Sequence, residues 1–123
     1  MRIGLFYESH LRSLVERVES ALRTLGHEVE ADYRHQDEID KLGWVLVMNR
    51  VFSSCDAFIG LQTVDGILNE DWRGIKEEQA LFEALRKPKA TTFADMLSDA
   101  PDEALIQQCD TLVESLRHQG ARE

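Results

Sequence analysis

Strands alternating with helices along a chain of 123 residues predict a single α/β domain, a parallel sheet with helices on both faces. Three observations carry that expectation. The runs RIGLFY (Arg2 to Tyr7) and DAFIGLQ (Asp56 to Gln62) are short and almost unbroken in their apolar character, as strands buried on both faces are. Long stretches with apolar residues three and four apart follow them. A new strand pattern also restarts directly after the first helix stops, the signature of a crossover between parallel strands.

Taken in order, Arg2 to Tyr7 is the first strand. Leu11, Leu14, Val15, Val18, Leu22 and Leu25 then form the stripe of an amphipathic helix, with Ser9 as a candidate N-cap and Gly26 as its stop. His27 to Asp32 (HEVEAD) alternates around Val29 and Ala31, and its charged outward positions suit an edge strand. The acidic face of Glu28, Glu30 and Asp32 is expected to be solvated. Between Asp37 and Ser54, Leu42, Val45, Met48, Val51 and Phe52 predict one helix. Trp44 to Met48 is also a continuous apolar run, as a strand would show, and Gly43 interrupts the pattern. Asp56 to Gln62 is the third strand, and Thr63 to Arg73 is a loop containing the turn signal Asp65-Gly66. A helix from about Gly74 to Lys87 turns Ile75, Leu81, Phe82 and Leu85 inward. Lys89 to Ala94 is a fourth, polar strand. Asp99-Ala100-Pro101 opens a last helix striped by Leu105, Cys109, Leu112, Val113 and Leu116.

These elements predict one three-layer, flavodoxin-like domain over residues 1–118, followed by a polar tail at 119–123. The sheet should have about four to five parallel strands in the order 2-1-3-4, joined by right-handed crossovers. Ligands in such sheets sit beyond the carboxyl ends of the strands, at the switch point between the first and the third. The segments Tyr7 to His10 and Gln62 to Gly74 meet there.

Composition narrows the function. A net charge of -9 lacks the basic footprint that a nucleic-acid polymer requires, though a mononucleotide or nucleoside needs only a few local contacts. Cys55 and Cys109 each sit in an apolar pattern without a CxxC, and read as buried reduced thiols. The four His residues are scattered, which predicts surface positions and no metal site; His10 alone lies near the expected crevice. No apolar run is long enough to span a membrane, and the first residues enter a strand without a signal-peptide pattern, so a cytoplasmic protein is expected. There is no GxxxxGK loop, dinucleotide fingerprint or GxSxG elbow, and no cofactor is implied.

One charge stands out. On the helix expected from Gly74, Ile75, Glu78, Leu81, Phe82 and Leu85 share a stripe, which puts a carboxylate on a core-facing side. The positive end of a helix favours an acidic first turn, but Glu77 would serve that purpose without facing inward.

The segment Cys55 to Pro88 resembles the nucleoside 2-deoxyribosyltransferase family and its N-glycosidase relatives. Cys55-Asp56-Ala57-Phe58-Ile59 supplies the strand, Gly74 stands four residues before Glu78, and Lys87-Pro88 follows nine beyond. The resemblance implies that Glu78 is a nucleophile attacking the anomeric carbon, in the manner of retaining glycoside hydrolysis. It implies a second acid two residues before the Gly. That position is Trp72 here, with Asp71 beside it as the candidate acid. Tyr7 matches, by location, a Tyr that positions the nucleophile. Ser9, Gln62, Asp65, Trp72 and Gly74 are the candidate substrate-binding residues, Trp72 for stacking on a base and Ser9 for an anion at the helix start. Glu8, where relatives carry a Gly-rich turn, disfavours a phosphate. A homodimer or higher homo-oligomer is implied by the same analogy, and the Trp44 to Phe52 segment would suit its interface. Phe6-Tyr7-Glu8-Ser9, the long helix and the strand ending in Asp32 also look like a TIR-type domain. Some of those cleave the glycosidic bond of NAD, but their spacing would put the Glu at position 76, which is Lys76. A non-catalytic nucleotide-binding or signalling module of the same fold is the remaining alternative.

Overall fold

The computed structural model describes residues 1–7, 9–63, 84 and 86–121, with backbone alone at Ser9, Gln62, Met96 and Ala121. Strand β1 (Arg2–Tyr7) leads through a 3-10 turn (Ser9–Leu11) into helix α1 (Arg12–Thr24). Strand β2 (Glu28–Glu30) is followed by a second 3-10 turn (Asp32–His35), then α2 (Gln36–Leu42), α3 (Trp44–Ser53) and β3 (Ala57–Gln62). Strand β4 (Lys89–Phe93) runs into the short helix α4 (Ala94–Leu97) and the long α5 (Asp102–Ala121). The four strands are parallel in the order β2-β1-β3-β4, the flavodoxin-like arrangement that the sequence predicts.

Side-chain alternation divides the core in two. Ile3, Leu5 and Tyr7 of β1 and Ala57, Ile59 and Leu61 of β3 point to one face. There they meet Leu14, Val15, Val18 and Leu22 of α1 and Leu105, Cys109, Val113 and Leu116 of α5. Phe6 and Phe58 point the other way, onto Val47, Met48, Val51 and Phe52 of α3. On that second face the rings of Phe6, Phe52 and Phe58 lie 4.4 to 5.9 Å apart, tilted or edge to face. They close over Gly4, the β1 residue between Ile3 and Leu5. A Cβ there would stand 2.7 Å from Phe52 Cδ1 and 2.8 Å from Phe58 Cδ1, so only glycine lets α3 approach this closely.

Several local expectations change. The segment from Asp37 to Ser54 is two helices, because Gly43 adopts φ +90° and ends α2 with its N–H on the Ile39 carbonyl. Trp44 to Met48 is helical, and its buried residues Val47, Met48, Val51 and Phe52 follow the helical period. Ser9 does not cap α1, which begins three residues later after Leu11 with no side-chain cap. Gly26 ends α1 at φ +92°, as expected. Helix α5 continues past His118 to Ala121, and Gln119 grips the start of β4. Its amide oxygen accepts from the Lys89 N–H at 3.1 Å and its amide nitrogen donates to the Lys89 carbonyl at 3.0 Å.

The amino-terminal edge of the sheet is closed by polar bonds. The Arg2 N–H donates to Asp56 Oδ2 at 2.8 Å, and the Asp56 N–H donates to the Arg2 carbonyl at 2.7 Å. Lys87 Nζ donates to the carbonyls of Ser53 and Cys55 at 2.6 and 2.5 Å, gathering the end of α3 and the approach to β3. Cys55 and Cys109 are buried and unpaired with each other, and burial pushes both thiols up to about 11, so both stay protonated near neutral pH.

Two outcomes follow from this packing. Gly4→Ala should lower stability by about 1–3 kcal/mol, read as a lower denaturant midpoint at unchanged slope; wild-type stability would contradict the close approach. His27 is 8 % exposed, and burial holds its pKa below the ordinary value, helped by the Met1 ammonium and Arg117 and opposed by Asp110. The unfolded chain therefore takes up the proton first as pH falls below about 6.5, so stability should drop there. His27→Gln should flatten that part of the stability profile.

Candidate functional site

The carboxyl ends of β1, β2 and β3 define one edge of the sheet. Tyr7, the last residue of β1, pairs with Leu61 of β3, while Gly4 pairs with Glu30 at the end of β2. The chain leaving β2 therefore runs alongside the last residues of β1, and its first turn carries Asp32 to the Tyr7 hydroxyl. That hydroxyl donates to Asp32 Oδ1 at 2.5 Å, and the Trp44 indole N–H reaches Asp32 Oδ2 at 3.4 Å. Tyr7 belongs to the α1–α5 core, whereas Trp44 packs edge-on against Phe52 on the opposite face at 6.5 Å.

The electrostatics of this trio are one-sided. Burial raises the Tyr7 pKa far above its usual value, and the hydrogen bond and negative charge of Asp32 raise it further against the opposing charge of Arg12. Tyr7 is thus a phenol at any working pH, and its single proton is used on Asp32. It can offer another group only its oxygen lone pairs.

A second network holds the turn that presents Asp32. Glu19 of α1 is 8 % exposed and accepts from Arg34 Nε at 2.6 Å, Arg34 Nη2 at 2.5 Å and the Tyr33 hydroxyl at 2.7 Å. Burial pushes Glu19 up, but Arg34 and Tyr33 outweigh it and keep the carboxyl below its usual range. Arg12 at the start of α1 lies over the Tyr33 ring, 4.1 Å from its centre. Glu30 is bound on one side by Arg2 and on the other by His35, each at 2.7 Å.

These contacts correct the sequence reading at several positions. Glu30 and Asp32 are not a solvated acidic edge: both are half-buried and bonded to groups distant in sequence, and only Glu28 is exposed. His35 is paired with Glu30, and His27 is buried, so neither is a plain surface histidine. Trp44 joins the polar cluster as well as the core. Asp32 was visible in one respect. An acid placed just after β2, in a 2-1-3-4 sheet, must come close to the end of β1.

Of the candidate site residues, Tyr7 stands at the expected edge. Ser9 and Gln62 fall there by backbone position, in the first 3-10 turn and at the end of β3. Glu78, Asp71, Asp65, Trp72 and Gly74 lie outside the described residues, as does most of the helix expected from Gly74 to Lys87. Lys87 itself is at the opposite edge, bonded to backbone carbonyls. Among the described residues, no group of three His, Cys, Asp or Glu side chains is arranged to hold a metal ion, and no helix is long and apolar enough to cross a membrane. A groove of about 280 Å³ between α1 and α5 is lined by Arg17, Thr24, Asp102 and Ile106, away from this edge. Its Arg17 is already bound to the carbonyls of Ser98 and Ala100.

Comparison with models of protein families, with curated proteins and with solved structures finds no match to this chain.

A spectrophotometric titration tests the electrostatics of the edge. The chain has two tyrosines, Tyr7 and Tyr33; burial and the Glu19 hydrogen bond push Tyr33 up to about 12. While the chain stays folded, no phenolate absorbance should develop near pH 10, and Tyr33 should titrate before Tyr7. Because both folded values exceed that of the unfolded chain, their contribution to stability is complete below about pH 10 and lost above it. A tyrosine ionising at pH 10 in the folded protein would contradict the Asp32 and Glu19 contacts.

Proposed function

We propose that this chain cleaves, or transfers at, the N-glycosidic bond of a nucleoside or nucleotide, with Glu78 as the nucleophile. The observation that carries this reading is the polar cluster of Tyr7 and Asp32 at the carboxyl edge of the sheet, beside the switch point between β1 and β3. The segment bearing Gly74 and Glu78 follows β3 in sequence, and β3 ends at that same edge. An attacking carboxylate needs a site there with fixed hydrogen-bonding partners and little water. Glu78 would attack the anomeric carbon and expel the base, and water or a second base would release the sugar from the ester. Asp71 remains the candidate acid for the leaving base. Tyr7 would support the site through Asp32 rather than by donating to Glu78, since its proton is already used. Two copies of the chain would complete the site, on the resemblance to the transferases.

A second reading is a nucleotide-binding module of the same fold without turnover. Two contacts favour it specifically. The Tyr7 proton is spent on Asp32, and Lys87, part of the motif that suggests chemistry, holds backbone carbonyls at the far edge.

Incubating the protein with ribonucleosides, 2′-deoxynucleosides, their 5′-monophosphates and NAD, and following free base by chromatography, separates the two. Turnover in the wild type that falls by at least about 10³-fold in a folded Glu78→Ala variant is the expected result. Binding without base release from any of these compounds would favour the module.

A further inference from the structure

The described sheet ends at β2 on one side and at β4 on the other. The Pro88 carbonyl accepts from the Phe58 N–H, so Ala90 and Thr92 turn their backbone groups toward β3 while Lys89, Thr91 and Phe93 turn theirs outward. An outward row of N–H and C=O groups is a template for another strand. The two edges are guarded differently. Strand β2 is three residues long, flanks Val29 with Glu28 and Glu30, and gives its Val29 carbonyl to Arg23 Nη2 at 3.3 Å. In β4, Ala90 to Phe93 carry no charge and Thr91 is exposed. Among the described residues, no group bonds the outward N–H and C=O of Thr91.

The guard on β4 is Gln119. Its amide oxygen accepts from the Lys89 N–H at 3.1 Å, and its amide nitrogen donates to the carbonyl of the same residue at 3.0 Å. A parallel neighbour would divide those two bonds between two of its residues, whereas an antiparallel neighbour makes both from one. Gln119 therefore stands where one residue of an antiparallel strand would be. An edge strand meets its own copy antiparallel across a two-fold axis. With the axis at Thr91, the two Thr91 residues exchange both bonds. Phe93 of each strand then falls opposite Lys89 of the other, in the place that Gln119 fills. We infer that β4 is a strand-addition edge for a second copy of this chain, and that Gln119, on the last turn of α5, is the latch that keeps it closed. Strand β3 separates this edge from Tyr7 and Asp32, and the inference does not depend on the nucleoside reading.

Light scattering coupled to size exclusion tests this on the whole chain, with the wild type, Gln119→Ala and Gln119→Ala/Thr91→Pro at equal concentration. Gln119→Ala should raise the mass to about twice that of the wild type. Adding Thr91→Pro removes the central N–H, on an edge strand where proline is tolerated, and should restore the wild-type mass. An unchanged mass in a folded Gln119→Ala variant overturns the inference, and so does association that survives Thr91→Pro. Amide exchange in the wild type needs no variant. The Lys89 amide, bonded to Gln119, should exchange at least about tenfold more slowly than the Thr91 amide, and equal rates overturn the latch. In Gln119→Ala the Thr91 amide should slow as the strands pair; exchange there as fast as in the wild type overturns the pairing.

Discussion

The carboxylate of Asp32 joins two hydrophobic cores that the sheet otherwise keeps apart, because its two hydrogen-bond donors belong to opposite faces. Tyr7 grows out of the α1–α5 layer and Trp44 out of the layer built on Phe52, so the acid can keep both bonds only when both layers are seated. Its energetic position is asymmetric. Loss of the acid leaves a buried phenol without its acceptor, whereas loss of either donor leaves a charge short of a partner. The surrounding contacts keep the turn in place. Glu19 anchors Arg34 and Tyr33 just beyond Asp32, and Glu30 anchors Arg2 and His35 just before it. The turn after β2 is therefore pinned to β1, to α1 and to α3 within a few residues.

The sheet itself was readable because its signals are local. Five of the six residues of β1 are buried, and its alternate residues meet different layers, the pattern expected of a strand covered on both sides. The stop at Gly26 and the immediate restart at Glu28 require a parallel crossover. Gly43 was read as a weak point in one helix, and it is a break. Its positive φ redirects the chain by a conformation that periodicity cannot register, since the apolar spacing on either side remains helical. Ser9 was read as a cap from its type and place, but it opens a 3-10 turn, and α1 begins only at Arg12 with Leu11 at its N-cap position.

The polar edge was much less legible. Asp32 finds Tyr7 at a separation of 25 residues, and Glu30 finds Arg2 at 28. Partners so distant leave no trace in alternation or spacing, and an acidic residue read without them looks solvated. Glu19 makes the same point within a helix. It lies beside the apolar stripe of α1 and is buried with its carboxylate bonded to a tyrosine and an arginine from the turn after β2. The topology carried more information than the residue types did. Once β2 is placed next to β1, the residue that ends β1 and those that follow β2 must meet, and they are Tyr7 and Asp32.

The two ends of the sheet divide the labour. At the amino edge the bonds are mostly to backbone: Arg2 with Asp56, Lys87 with the carbonyls of Ser53 and Cys55, and Gln119 with both polar groups of Lys89. Such contacts fix strand starts and offer little to a ligand, because their donors and acceptors are used on the chain itself. This bears on the motif that first suggested chemistry. Lys87-Pro88 stands nine residues after Glu78 in the sequence, and its lysine has a structural explanation at the amino edge, where Pro88 also passes its carbonyl to the Phe58 N–H. Half of the motif is architecture, and the chemical argument rests on Glu78 together with the edge where Asp32 and Tyr7 meet.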